Sequence, residues 1–173
     1  MLNRILRFLT QSPDGYLWAN VQGMCTSFKQ EVLNGSHAFG TQGANGVRTV
    51  TTKDVFKLAL FLVSGSRGVA DTVYNTTGEL AASGNYTAGG TTVTNATAPT
   101  TSGTTAFWTP SASAVWAALT SSGAFDCAVL YNSSSTSLLE VAVFTFGSQT
   151  VTAGTFTLTM PVNAAGTALL QFA

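Results

Sequence analysis

The residues able to move protons or attack a substrate are few: one histidine, His37, two cysteines, Cys25 and Cys127, and seven carboxylates. A histidine-assisted nucleophile needs a Ser, Thr or Cys held by the imidazole, often on a GxSxG turn. No GxSxG occurs, and His37 lies between Ser36 and Ala38. It is expected to be a capping or hydrogen-bonded surface residue. Zinc needs clustered imidazoles and thiolates, and one histidine with two distant cysteines outside any CxxC offers no such cluster. A glycosidase needs two carboxylates about 5 to 9 Å apart, one with a raised pKa. Glu79 and Asp126 are the candidates, and structural hydrogen bonding is their expected role.

Two further patterns bear on binding. Trp18, Trp108 and Trp116 would make a sugar platform if they shared an exposed face, but aromatics in strand-rich segments are expected in the core. Ala88-Gly89-Gly90-Thr91 lacks the lysine of a phosphate loop and reads as a tight hairpin or bulge, where glycine accepts positive φ. No catalytic residue, cofactor site or metal ligand is assigned, and an enzyme is not expected. Cys25 and Cys127 are expected as buried thiols of a reducing compartment, although spacing leaves open whether they meet. The Asn-x-Ser/Thr triplets at Asn34, Asn75, Asn85, Asn95 and Asn132 are expected by chance in a chain so rich in Thr and Ser.

The elements that must position these residues are mostly strands. Val21, Met24, Cys25, Phe28, Val32 and Leu33 recur at helical spacing and Gly35 stands where a C-cap glycine belongs, predicting one amphipathic helix. Val55 to Val63 reads as a strand. From there short runs rich in Val, Thr, Phe, Tyr and Trp follow one another: Thr91–Thr97, Thr105–Thr109, Ala114–Leu119, Ala124–Tyr131, Leu138–Phe146, Thr155–Met160 and Thr167–Phe172. Turn-forming Gly, Ser and Asn separate them. Roughly eight short strands at near-regular spacing predict a mainly β fold, an antiparallel β-sandwich of jelly-roll type with one N-terminal α-helix. Phe156, Leu158 and Met160 alternate with threonines, the mark of a half-buried strand with a hydroxylated outer face. Residues 20–173 are read as a single sandwich domain and residues 1–19 as an N-terminal arm. In that arm Leu2, Ile5, Leu6 and Leu9 repeat at helical spacing.

Composition narrows the function classes. The 173 residues are 45% hydrophobic and only 8% charged, with seven basic and seven acidic side chains, where a soluble domain averages about 25% charged. A folded domain with a hydroxyl-rich surface is expected, and so little net charge suits a protein that ends in an assembly. All seven basic residues precede position 68 with three acids, while only Asp71, Glu79, Asp126 and Glu140 are charged beyond it. Scattered basic residues do not make a nucleic-acid stripe. The opening MLNRILRFLT is broken by Arg7 and lacks a small-residue cleavage site, and no apolar run approaches the roughly 20 residues of a membrane helix. A soluble protein without nucleic-acid or membrane partners is the expectation.

An ordered set of segments resembles a family of small structural proteins of tailed bacteriophages. The matching pieces are Cys25 to Gly35 with His37 and Phe39, Asp54 to Phe61, Gly78-Glu79, Gly84 to Gly90, Ala128 to Asn132, and Phe144 to Gly147 followed by Val151 to Thr157. Together they span about residues 20–161. The resemblance implies a β-rich virion protein with no enzymatic residues, made in the bacterial host cytoplasm and located in the virion. Its implied role is a capsid decoration or cement protein that bridges neighbouring capsomers, with a tail, neck or fibre component as the alternative. The implied partners are the major capsid protein or tail proteins, together with further copies of the chain, a trimer being the expected homo-oligomer. Two departures from the family pattern stand out: the added N-terminal segment, and an uncharged Phe144-Thr145-Phe146 where a carboxylate commonly precedes Phe-Gly. The arm residues Leu2, Arg4, Ile5, Leu6, Arg7, Phe8 and Leu9 are the expected docking segment, or else an element closing the domain's own core.

Overall fold

In the computed structural model the described residues are 20–42 and 49–173. The most apolar stretches of the chain form its centre. β2 (Phe56–Leu62) and β7 (Phe125–Asn132) are buried along nearly their whole length on both faces, as strands inside a covered sheet must be. They pair antiparallel from Phe56↔Asn132 to Leu62↔Phe125. On the far side of β7 lies β8 (Glu140–Gln149), whose first four residues are buried and whose last three are exposed. The edges are two-residue strands, β1 (Gly23–Met24) beside β8 and β3 (Thr91–Thr92) beside β2, giving the sheet order β1-β8-β7-β2-β3. Edge strands this short leave little unpaired ladder for another chain to exploit.

The covering layer is divided. β4 (Thr100–Ser102), β5 (Thr105–Trp108) and β10 (Leu170–Phe172) form a three-stranded sheet, and β6 (Ala114–Leu119) pairs with β9 (Gly154–Leu158). Each sends rings onto the large sheet: Trp108 of β5 meets Phe56 of β2 at 6.0 Å, and Phe156 of β9 meets Phe125 of β7 edge-on at 5.0 Å. The result is a mainly β, antiparallel, sandwich-like fold with one short helix. A contiguous core runs from Cys25 to Leu170.

Local chemistry explains the irregularities. β9 keeps its expected alternation, with Thr155 and Thr157 outward. In β6 the register shifts between Trp116 and Leu119, and Ala118 takes φ +51. That bulge lets Leu119 turn inward, to 0% exposure, where plain alternation would have pointed it out. Gly89 and Gly90 both have positive φ, as expected of a turn. A Cβ on Gly90 would sit 1.9 Å from the Leu58 carbonyl oxygen, so only glycine lets this turn lie on β2.

The helix is shorter than its apolar stripe. α1 spans Thr26–Leu33, and Gly35 follows with φ +69. Gly23 and Met24 instead pair with Val143 and Ala142, and Val21 is 55% exposed. A spacing of three and four residues is satisfied here by an edge strand that runs directly into a helix. The region expected as strand from Thr91 to Thr97 is ladder only at its first two residues. Beyond them the Asn95 side chain donates to the Phe39 carbonyl and accepts from the Trp108 indole, so the chain is held by side chains instead of by a ladder. β4 was not expected from the sequence.

Candidate functional site

Three polar clusters lie in or beside the large sheet, and together they hold the histidine and both candidate carboxylates. In the first, Glu79 is 8% exposed and forms an isolated bridge to Phe61 of β2. Its Oε2 accepts the Tyr74 hydroxyl at 2.5 Å, and its Oε1 accepts the Tyr86 hydroxyl at 2.6 Å and the Gly89 N–H at 2.7 Å. The Tyr86 oxygen also accepts the Leu60 N–H, and Tyr131 donates to the Gly89 carbonyl. Tyr74 and Tyr131 stack at 4.1 Å. Burial, then the neighbouring Glu79 carboxylate, push all three tyrosines up, Tyr131 to about 12. Each therefore stays a neutral hydroxyl able to donate. The carboxylate is saturated by donors that also tie the glycine turn to the sheet.

In the second cluster, Glu140 is fully buried at the start of β8 and accepts a hydrogen bond from Nη2 of Arg67, itself 5% exposed. The guanidinium lies 4.5 Å over the Phe61 ring, and its Nε is 3.7 Å from Asp71. Burial raises Glu140 to about 7 against the pull of Arg67. Asn20 extends this cluster, accepting the Arg67 backbone N–H and donating to the Leu62 carbonyl and to Asp126. Glu79 and Asp126, the candidate carboxylate pair, thus belong to different networks with no common partner.

His37 belongs to the third cluster, and here expectation is corrected: the imidazole is fully buried, not a surface group. Nε2 lies 2.8 Å from Glu31 of α1, and Nδ1 lies 3.1 Å from the Asn132 amide nitrogen of β7. That amide nitrogen also donates to Asp54, whose same oxygen accepts the Ala38 N–H. An amide N–H facing Nδ1 assigns the proton to Nε2, which donates to Glu31. Both ring nitrogens are committed, and Phe28 packs 5.0 Å from the ring. Glu31, two residues before the helix end, was the sequence signal for this partner. The long-range Asn132 and Asp54 contacts carry no local signal.

The remaining candidates are placed by packing. Trp108 and Trp116 are 2% and 5% exposed, and Trp108 donates its indole N–H to Asn95 and to the Thr97 carbonyl. Neither offers a face to a sugar, and Trp18 lies outside the described residues, as do arm residues Leu2, Arg4, Ile5, Leu6, Arg7, Phe8 and Leu9. Cys25 and Cys127 are free and fully buried. Cys25 donates its N–H to Val141 on one side of β8, whereas Cys127 pairs with Thr145 on the other. Four residues of strand set them about 13 Å apart along β8, beyond the roughly 7 Å reach of a disulfide. Burial pushes both thiols up, Cys25 to about 12, so neither has thiolate character. Of the glycosylation triplets, Asn95 and Asn132 are buried and hydrogen-bonded.

Among the described residues no three His, Cys, Asp or Glu side chains are grouped to hold a metal ion. Nor is any helix among them long and apolar enough to cross a membrane. What the three clusters do is cross-link: each joins a loop or the helix to the central strands. No family model, curated protein or solved structure matches the chain.

Proposed function

We propose that the chain is a structural protein of a bacteriophage virion, a capsid decoration protein that bridges and stabilises neighbouring capsomers. The observation that carries this reading is where the few charges go. Arg67, Glu79 and Glu140 are turned inward and consumed by internal cross-links. Of the other charged side chains among the described residues, Lys29 and Lys53 are exposed and the rest half-buried, and the remaining outside carries Thr and Ser with exposed apolar residues such as Val115 and Val162. A rigid interior with a nearly neutral exterior suits a subunit that spends its life against neighbours, where charge repulsion would oppose association. The ordered resemblance to phage structural proteins supports the same reading.

Packaged DNA pushes capsomers apart, and a module bound across their junction adds its binding free energy to the cost of separating them. Contacts from several copies, a closed trimer at a threefold junction being the expected form, act at high effective concentration. The test is the copy number of the chain relative to the major capsid protein, by quantitative mass spectrometry of purified particles whose genome encodes it. A ratio near that of the capsid subunit is expected. A small fraction of it would move the chain to neck, tail or fibres, and absence from particles would overturn a virion role.

A further inference from the structure

The large sheet ends in two-residue strands, whereas the covering layer exposes a longer one. β9 (Gly154–Leu158) pairs with β6 along one edge, and among the described residues nothing pairs with the other. In an antiparallel ladder alternate residues turn their N–H and C=O away from the partner strand, so this edge presents an open row of donors and acceptors. Exposed edges are normally blunted by Lys, Pro or a bulge. β9 has neither residue, and the bulge of this pair lies on β6. Its outward threonines, Thr155 and Thr157, are exposed, while Phe156 and Leu158 are only partly buried against the core. No charged residue occurs from Leu80 to Phe125 or after Glu140, so every strand of the covering layer is uncharged.

We propose that β9 is a contact between two copies of this chain, its open edge pairing antiparallel with the same edge of a second copy about a twofold axis through Phe156. Extended backbone is what an open ladder recognises, and an identical strand supplies it with matched faces. With the axis perpendicular to the sheet, Gly154 meets Leu158 of the other copy, Thr155 meets Thr157, and Phe156 meets its own counterpart, so the whole strand pairs. Cross-strand threonine and aromatic pairs of this kind stabilise a ladder. Phe156, which packs 5.3 Å from Phe146 and is left half-covered by the single chain, gains a neighbour. In a layer without charge, a partner recognised by charge finds nothing to bind, and a like copy meets no repulsion. So short a ladder buries less than the roughly 800 Å² per partner of a standard interface. The pair is therefore weak in solution and strengthens where copies are held together. The β6–β9 ribbon becomes four continuous strands, and the rest of each surface is left to other neighbours.

The experiment is analytical ultracentrifugation of the full chain at concentrations up to about 1 mM, with two double variants, Thr155→Lys with Thr157→Lys and Thr155→Glu with Thr157→Glu. Both positions are exposed, so the circular dichroism of the fold is expected to be unchanged. The unaltered chain is expected to form dimers. Each variant sets two like-charge pairs across the axis and should dimerise about tenfold more weakly, while an equal mixture of the two restores dimers containing one of each. A chain that stays monomeric throughout, association that neither variant weakens, or a mixture that restores nothing would overturn the proposal. Register is read separately, from an equal mixture of Thr155→Cys and Thr157→Cys under oxidation. Disulfides joining the two variants are expected, because directly opposed residues lie within about 5.5 Å, and preferential bonds between like variants would overturn the axis at Phe156. Cys25 and Cys127, fully buried, take no part. None of these readouts depends on the virion role, which the copy number decides separately.

Discussion

A buried carboxylate is costly unless something compensates it, and Glu79 and Glu140 are compensated in opposite ways. Glu79 receives three donors, one of them the immobile backbone N–H of Gly89. In Glu79→Gln one oxygen becomes an NH₂ that accepts nothing, so the substitution should destabilise the fold by about 1 to 3 kcal/mol, read by urea denaturation. Glu140 has one cation, Arg67, and burial still raises it to about 7. Its folded pKa is therefore above its unfolded one, near 4.5. The sign follows from linkage: between these values the folded state holds the extra proton. The stability tied to this group is full below pH 4.5 and is lost as pH rises through 7. Arg67→Met, which strands the carboxylate, should cost about 3 to 5 kcal/mol at pH 8 and distinctly less at pH 5, where Glu140 takes a proton. Denaturation of this variant at the two pH values checks it, and equal losses would contradict the assigned pairing.

Elements were legible where sequence pattern and burial coincide. β6 was read with its observed ends, and β2, β5 and β7 to within a residue, because each is an apolar run bounded by turn formers. The helix was over-extended since its signal came from positions 21 to 25, which the structure gives to the edge of the sheet. The consequence can be tested within α1, where Phe28 is fully buried and Leu33 is 88% exposed, although both belong to the same sequence stripe. Phe28→Ala should cost about 3 to 5 kcal/mol, whereas Leu33→Lys should stay within about 0.5 kcal/mol. Thermal unfolding of the two variants distinguishes the shortened helix from the longer one, on which Leu33 would also be core. His37 was misjudged for a related reason. Its partner Asn132 comes from β7 and is held by Asp54 from the approach to β2, and only the closed sheet brings them to a loop after α1.

Over the whole molecule, sandwich class was readable from the strand rhythm, but the division of the covering layer into two small sheets was not. That division depends on which loops are held by side chains, such as Asn95, and not on strand propensity. It also predicts unequal strength across the fold. The central strands exchange long antiparallel ladders, while β1 holds β8 through only two residue pairs. Local opening should therefore begin at the edge and spread inward. The two cysteines report on this directly, being fully buried and too far apart to pair: Cys25 joins β1 to α1, and Cys127 sits mid-ladder in β7. In native conditions Cys25 should react with a thiol reagent faster than Cys127, by about tenfold for each 1.4 kcal/mol between edge opening and global unfolding. Peptide mapping after timed labelling measures the two rates. Adding urea below the unfolding transition should bring them together, because global unfolding depends on denaturant more steeply than a local opening that exposes little surface. Equal rates without denaturant would mean that β1 and the central sheet open as one unit.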